Sequence, residues 1–251
     1  MIVQIWNDHC RLITQEQHAL LSGVLAEAWA DGGNETLHPM LRQAIGLHDN
    51  AWRAADRAPR WNPDTSGIHD FVSIPDDERL LLYGGGLDQL ERVHPYIAAL
   101  VSMHYTRFSG TVHLESLQKQ ESARRERLAQ LCGFPNRDIL EQSLTLDLKW
   151  LQFFDALSLW ICLTTPGIRE DTIPAWITPE RWAVIPGTGQ ALQPVWADPR
   201  TVRLQPFPCR EPFQFSLYFR RLPATDWPSA DALEQAWADA PVGVLPLRIE
   251  P

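Results

Sequence analysis

Residues 39–52 read Pro39-Met40-Leu41-Arg42-Gln43-Ala44-Ile45-Gly46-Leu47-His48-Asp49-Asn50-Ala51-Trp52. Proline is favoured in the first turn of a helix. Leu41, Ala44, Ile45 and His48 then recur at the spacing of a single helical face. The apolar stripe thus ends in an imidazole, and a carboxylate follows it at once. Adjacent helical residues point about 100° apart, so His48 and Asp49 serve one centre only where the helix ends or distorts. Gly46 and Asn50 permit such an irregularity. This pair predicts a soluble, mainly helical protein built around a buried polar centre.

The same pattern recurs along the chain. His18 shares a face with Leu21 and Leu25, His104 with Ile97, Leu100 and Val101, and Asp155 with Leu148, Leu151 and Leu159. A carboxylate inside an apolar face carries a large desolvation cost unless a cation or hydrogen-bond donors meet it. A histidine on such a face is most often a hydrogen-bonded core residue. Three imidazoles and two carboxylates together form a hard-to-borderline donor set, suited to one or two divalent transition-metal ions such as Fe, Mn, Zn or Co. The predicted ligands are His18, His48, Asp49, His104 and Asp155, with His104 and Asp49 as catalytic candidates. His69, His94 and His113 are further candidates.

Outward from these segments, residues Ile2 to Ile13 alternate as one strand or two. Thr14-Gln15-Glu16-Gln17 fits a capping box for a helix ending at Asp31-Gly32-Gly33. Arg57 to Pro75 reads as a long loop flanked by Trp52, Trp61 and Phe71, and Gly84-Gly85-Gly86 as a break. Helices are expected from Pro95 to at least His104, over about Ser116–Leu131, and over about Arg137–Leu163. The Pro- and Trp-rich tail suggests short strands at Trp182–Ile185, Val202–Leu204, Phe213–Phe219 and Val242–Ile249, with one helix over Ser229–Ala238. The expected fold is therefore mainly α: a helical-bundle domain with a short N-terminal strand region over residues 1–170, and a small β-rich lobe over 171–251 packed on it, as two domains or one continuous domain.

Composition narrows the function. The chain has 251 residues, 45% of them hydrophobic, and a formal net charge of -9. An acidic surface disfavours nucleic acid as a partner. All eight histidines lie at or before His113, so imidazole chemistry belongs to the first half. Cys10, Cys132, Cys162 and Cys209 show neither zinc-finger nor disulfide spacing. Asp147, Lys149 and Asp155 interrupt the most apolar stretch, which argues against a membrane span. No secretory leader is evident, and a cytoplasmic location is expected.

The order His18, His48-Asp49, His104, Asp155 resembles the HD superfamily of helical metalloproteins. In that superfamily a first-helix His, a tandem His-Asp and a late-helix Asp bind metal, and additional histidines in some members hold a second ion. A closer resemblance covers nearly the whole chain. Ile13-Thr14-Gln15-Glu16-Gln17-His18, His48-Asp49-Asn50-Ala51-Trp52, Leu100-Val101-Ser102-Met103-His104 and Leu151 to Leu159 look like the bacterial family catalogued as domain of unknown function 3891, which brings no assigned activity. The HD-like pattern implies an HD-like helical bundle and a metal-dependent hydrolase of a phosphate ester or phosphodiester, acting on a small-molecule substrate. The alternatives are an HD-type di-iron oxygenase and a non-catalytic ligand-binding or structural protein. Hydrolytic HD members continue the tandem pair with a cationic sequence, whereas Asn50-Ala51-Trp52 follows here. A phosphate-binding cation would have to come from Arg53, Arg57, Arg60 or Arg107, and Asp56 could support a ligand.

Overall fold

A computed structural model describes residues 1–30, 37–107 and 112–251, with side chains in the last segment from residue 115 onward. The expected helix stop at Asp31-Gly32-Gly33 and the His113 side chain lie outside the described residues. Local chemistry sets most helix starts. Helix α1, Gln15–Ala28, opens where the Thr14 hydroxyl accepts from the Gln17 N–H at 3.1 Å. Helix α2, Pro39–Leu47, has proline in its first turn and His38 as its cap. It is followed by a 3-10 turn, Asn50–Arg53. The long loop contains a small hairpin of β3, Arg60–Asn62, and β4, Gly67–His69.

Helix α3, Asp76–Val93, contains all three glycines that the sequence suggested as a break. Gly86 is there for packing. A Cβ at this position would lie 2.4 Å from the Ala51 Cβ, so only glycine lets α3 approach the turn behind Asp49. Helices α4, Pro95–Tyr105, and α5, Val112–Leu131, follow. The helix expected over 137–163 is instead two, α6, Arg137–Ser143, and α7, Thr145–Leu163, which meet at Leu144. The Ser143 hydroxyl bonds back to the Leu140 carbonyl at 2.7 Å, the kind of local bond that competes with helix continuation.

The tail corrects the expected fold class. Strands β5, Gln193–Asp198, β6, Thr201–Gln205, and β7, Phe213–Pro223, lead through helix α8, Ala230–Asp239, to β8, Val242–Glu250. They join β1, Ile2–Ile5, and β2, His9–Ile13, in one curled six-stranded sheet of order β1-β2-β7-β8-β6-β5. All neighbours are antiparallel except β6 and β8, which are parallel. About 51% of the described residues are helical, so the protein is a mixed α and β structure and neither all-α nor a mainly helical bundle. The reason is non-local. The amino-terminal hairpin adds to the tail strands through β2 and β7, placing Leu12 opposite Arg220. Of the expected tail strands, Trp182–Ile185 contributes only a bridge from Val184 to Ala191, and β5 was not anticipated.

Both faces of β2 are covered. Ile13 belongs to the main core with Leu21 and Leu25, while Cys10 and Leu12 pack with Leu222, Trp227 and Leu233 on the other side. Adjacent strand residues point to opposite faces, so this double cover explains why Leu12 and Ile13 are both apolar. Helix α7 runs through the middle of the main core against α1, α2 and α4. It is apolar nearly all round, as a helix covered on every side must be.

The glycine triplet separates packing from propensity. Gly86→Ala should destabilise the protein by about 1–3 kcal/mol through overpacking against Ala51. Gly85, whose Cβ would meet nothing within 4 Å, should gain about 0.5–1 kcal/mol from the same change. Urea denaturation of the two variants measures both; equal shifts would refute the packing role.

Candidate metal centre

The four residues singled out by periodicity, and Asp49 beside His48, converge. His18 comes from α1, His48 and Asp49 from the end of α2, His104 from α4 and Asp155 from α7, and all are buried. The geometric condition on the tandem pair is met by a helix end. α2 stops at Leu47, His48 remains helical, and Asp49 turns out at φ -104°, ψ 21°. Gly46 serves a different purpose from the expected irregularity. It faces Gly23, whose Cβ would lie 3.0 Å from the Gly46 Cα, so the pair lets α1 and α2 pack closely and brings His18 beside His48.

The ring orientations are set from behind. His48 Nδ1 donates to the Ile45 carbonyl at 2.7 Å. The Ser158 hydroxyl donates to the Asp155 carbonyl at 2.9 Å, so its oxygen accepts from His18 Nδ1 at 2.8 Å; Ser22 Oγ lies 2.7 Å from the same oxygen. Both Nδ1 atoms thus carry hydrogens, and both Nε2 atoms point inward. His18 Nε2 lies 2.8 Å from Asp49 Oδ2 and 3.9 Å from Asp155 Oδ1. His48 Nε2 lies 3.5 Å from Asp155 Oδ1 and 3.8 Å from Asp49 Oδ2, with no hydrogen-bond partner. Imidazole lone pairs aimed at carboxylates repel unless a proton or another cation lies between them.

Donors that share an ion at about 2.0–2.2 Å lie about 2.8–4.2 Å apart, which is the spacing found here. A hydrogen bond that fixes the outer ring nitrogen is also the usual support of a metal-bound histidine. The donor atoms of His18, His48 and Asp49 lie within 4.8 Å of one another, as do those of His48, His104 and Asp155. The residues present therefore fit a divalent transition metal, and Asp155 Oδ1 lies 3.5 Å from His48 Nε2 and 3.9 Å from His18 Nε2 of the first group.

Electrostatics follows the same logic. Burial alone would lower the His48 pKa, but Asp49 and Asp155 outweigh it and raise the value to about 9. Burial works against ionised Asp155 too, yet His48, His104 and Arg107 hold it well below the usual carboxylate range. Burial opposes ionisation of Asp49 in the same way, and His48 and His18 lower its pKa. His104 moves the other way, pushed down to about 3 by burial and then by Arg107.

A cavity of about 310 Å³ opens onto the centre, walled by Trp52, Phe71, Tyr83 and Trp176 and reached by Asp49, His104 and Asp155. Trp52 and Phe71 thus line the site, whereas Trp61 packs elsewhere and donates to the Trp227 carbonyl at 3.0 Å. Among the four arginines proposed as a substitute cation, Arg107 enters the cavity, 3.3 Å from Asp155 Oδ2. Arg53 pairs with Glu16 and Arg60 with Glu78, and the exposed Arg57 does not line this cavity. His69 lies beside Ser73 and His94 caps α4, both away from the centre. Asp56 accepts from the Glu16 N–H and touches no ligand. Cys162 is a core thiol, its pKa pushed up to about 12 by burial.

Sequence reasoning missed the supporting residues. Gln15 donates to Asp49 Oδ2 at 3.1 Å, and the Tyr105 hydroxyl donates to the His48 carbonyl at 2.6 Å. Ser22 and Ser158 had a signal: each lies one turn beyond a ligand on the same face, His18 and Asp155 respectively. Tyr105 had none, because its partner is a backbone carbonyl distant in sequence.

The opposite shifts of His48 and His104 predict a stability maximum in the metal-free protein. His48 titrates above its unfolded value, so its contribution is complete below about pH 6.5 and is lost as pH rises through about 9. His104 titrates below its unfolded value, so its contribution is present above about pH 6.5 and is lost as pH falls towards about 3. The melting temperature of chelator-treated protein should peak near pH 6.5 and decline on both sides. A steady rise from about pH 5 to about pH 9 would contradict these environments.

Among the described residues, no helix is long and apolar enough to cross a membrane. No curated protein and no solved structure matches the chain. The model of one family, described as protein of unknown function (DUF3891), matches residues 1–224, a span that contains every residue of the centre. The chain belongs to that family.

Proposed function

We propose that this protein is a metal-dependent hydrolase of a phosphate ester or phosphodiester, with His18, His48, Asp49 and Asp155 holding one divalent transition-metal ion in an HD-like order. The observation that carries this reading is the His48 ring. It is wholly buried, its Nδ1 hydrogen is committed to Ile45, and its Nε2 faces two carboxylates with no hydrogen-bond partner. A neutral ring so placed would aim a lone pair at two carboxylates; a proton on Nε2 relieves this in the free protein, and a metal ion would take the proton's place.

When bound, the ion would lower the pKa of a water molecule and polarise a phosphoryl oxygen. Arg107 supplies the positive charge that the sequence after the tandem pair lacks; its planar guanidinium suits two phosphate oxygens at once. Asp155 Oδ2 anchors it at 3.3 Å. His104, its pKa pushed down to about 3 by burial and Arg107, stays neutral at pH 7 and is a poor proton acceptor, so it serves by hydrogen bonding at a ring nitrogen. Gln15 holds Asp49 through its Oδ2. The aromatic walls exclude water and seat the organic part of the substrate.

A second reading, a two-iron oxygenase acting on a small organic molecule, draws on the group His48, His104 and Asp155. Against it stands Arg107, whose guanidinium lies on the side of Asp155 that a second ion shared with His104 would need.

Elemental analysis of protein purified with and without oxygen, paired with a chromogenic phosphodiester assay, tests these readings. The expected result is about one equivalent of metal, lost in His48→Ala and Asp155→Ala. Arg107→Gln should keep the metal and lose about 100-fold in kcat/KM. Two equivalents of iron with oxygen uptake would favour the second reading. Metal-free protein whose melting temperature ignores added metal would sink both.

A further inference from the structure

A second cleft, of about 570 Å³, adjoins the cavity at the metal centre. The two share Arg107, Asp155, Leu159 and Trp176, so they meet where the proposed chemistry lies. The cleft opens on an uncovered stripe of α7. From Trp150 to Leu163 every residue of that helix is buried except Gln152 and Ala156, and both line the cleft. Lys149 continues the stripe one turn earlier, and Arg181 faces it from the 3-10 turn Pro179–Arg181. A helix otherwise packed on every side is exposed here over a wall made of Lys149, Gln152 and Ala156.

The charge of this wall is out of keeping with the rest of the molecule. The chain has a net charge of -9, yet the charged groups lining the cleft are Arg107, Lys149, Arg181 and one carboxylate, Asp155. Asp155 is already engaged by His48 and Arg107. Among the described residues, neither Lys149 nor Arg181 meets a carboxylate, so the cleft carries their charge without a counter-charge of its own beyond Asp155. Cations held unpaired around a concave, partly dry wall focus a positive potential there and favour an anionic ligand.

We infer that this outer cleft is an anion-binding subsite that holds a second acidic group of the substrate, a phosphate or a carboxylate, on Lys149 and Arg181. Its link to catalysis rests on the hydrolase reading; its affinity for anions does not. Lys149 and Asp155 are separated by about 9 Å along the helix axis, from six residues at 1.5 Å each. The substrate is therefore elongated. An apolar or aromatic group fills the inner cavity, the bond to be cleaved lies at Arg107 and Asp155, and the second acidic group sits several bonds away in the outer cleft.

The test is calorimetric titration of chelator-treated protein with inorganic pyrophosphate at low ionic strength. The double variant Lys149→Gln/Arg181→Gln should bind about tenfold more weakly than wild type, and each single variant should fall between them. The charge-preserving pair Lys149→Arg/Arg181→Lys should recover most of the affinity. Arg203→Gln/Arg248→Gln, which removes two charges from β6 and β8, should leave it unchanged. Equal binding by wild type and the Lys149/Arg181 neutral variant, or no binding by wild type, would overturn the subsite. Neither residue is a ligand, so elemental analysis separates the two ideas: absent metal defeats the hydrolase reading while the titration still judges the cleft. A neutral variant that loses both anion affinity and metal would also overturn the subsite, because its effect would then be a general loss of structure.

Discussion

The structure turns on a buried carboxylate. Asp155 sits in the middle of α7, the helix around which the core is assembled, where an unpaired charge would cost several kcal/mol. A second carboxylate, Asp49, and the inward nitrogens of His18 and His48 occupy the same few ångströms. These groups are mutually tolerable only with protons or a metal ion among them. Arg107 relieves Asp155 on one side, but His18 and His48 face it on the other, and there the demand for positive charge remains.

Much of the surrounding architecture keeps that arrangement in place. Ser158 and Ile45 set the ring orientations, Tyr105 holds the His48 carbonyl, and Gln15 holds Asp49. Close backbone approach does the rest. Gly23 against Gly46 brings α1 to α2, and Gly86 against Ala51 seats α3 behind the turn that follows Asp49. Small residues at these positions are as much a part of the centre as its ligands, since a displacement of about 1 Å is enough to spoil a metal or catalytic geometry.

Charge is distributed unevenly to match. The body is acidic, and most surface cations are neutralised by neighbours. Lys149 and Arg181, which among the described residues meet no carboxylate, lie where α7 is open to solvent, next to Arg107 at the centre. Aromatic walls on the inner side of Arg107 and cationic walls on the outer side describe a site with two ends of different chemistry. That contrast is the basis for reading the substrate as an anion with an apolar portion.

The sequence by itself determined most of the helices, though not α3 or the division of α6 from α7, and the residues that enter the core from them. His18, His48, Asp155 and His104 were legible because a helix repeats every 3.6 residues, so a polar group on an apolar face is visible from its neighbours alone. The capping chemistry of Thr14 and Pro39 was legible for the same local reason. Tertiary structure alone decided that these helices share one centre, that Arg107 is the arginine beside it, and that Gly84-Gly85-Gly86 lies within a helix. It also decided the sheet. Strand periodicity reports which face of a strand is buried but not its partner, and β2 meets β7 through residues as far apart as Leu12 and Arg220. Such pairings depend on long-range packing, which no local window of sequence contains.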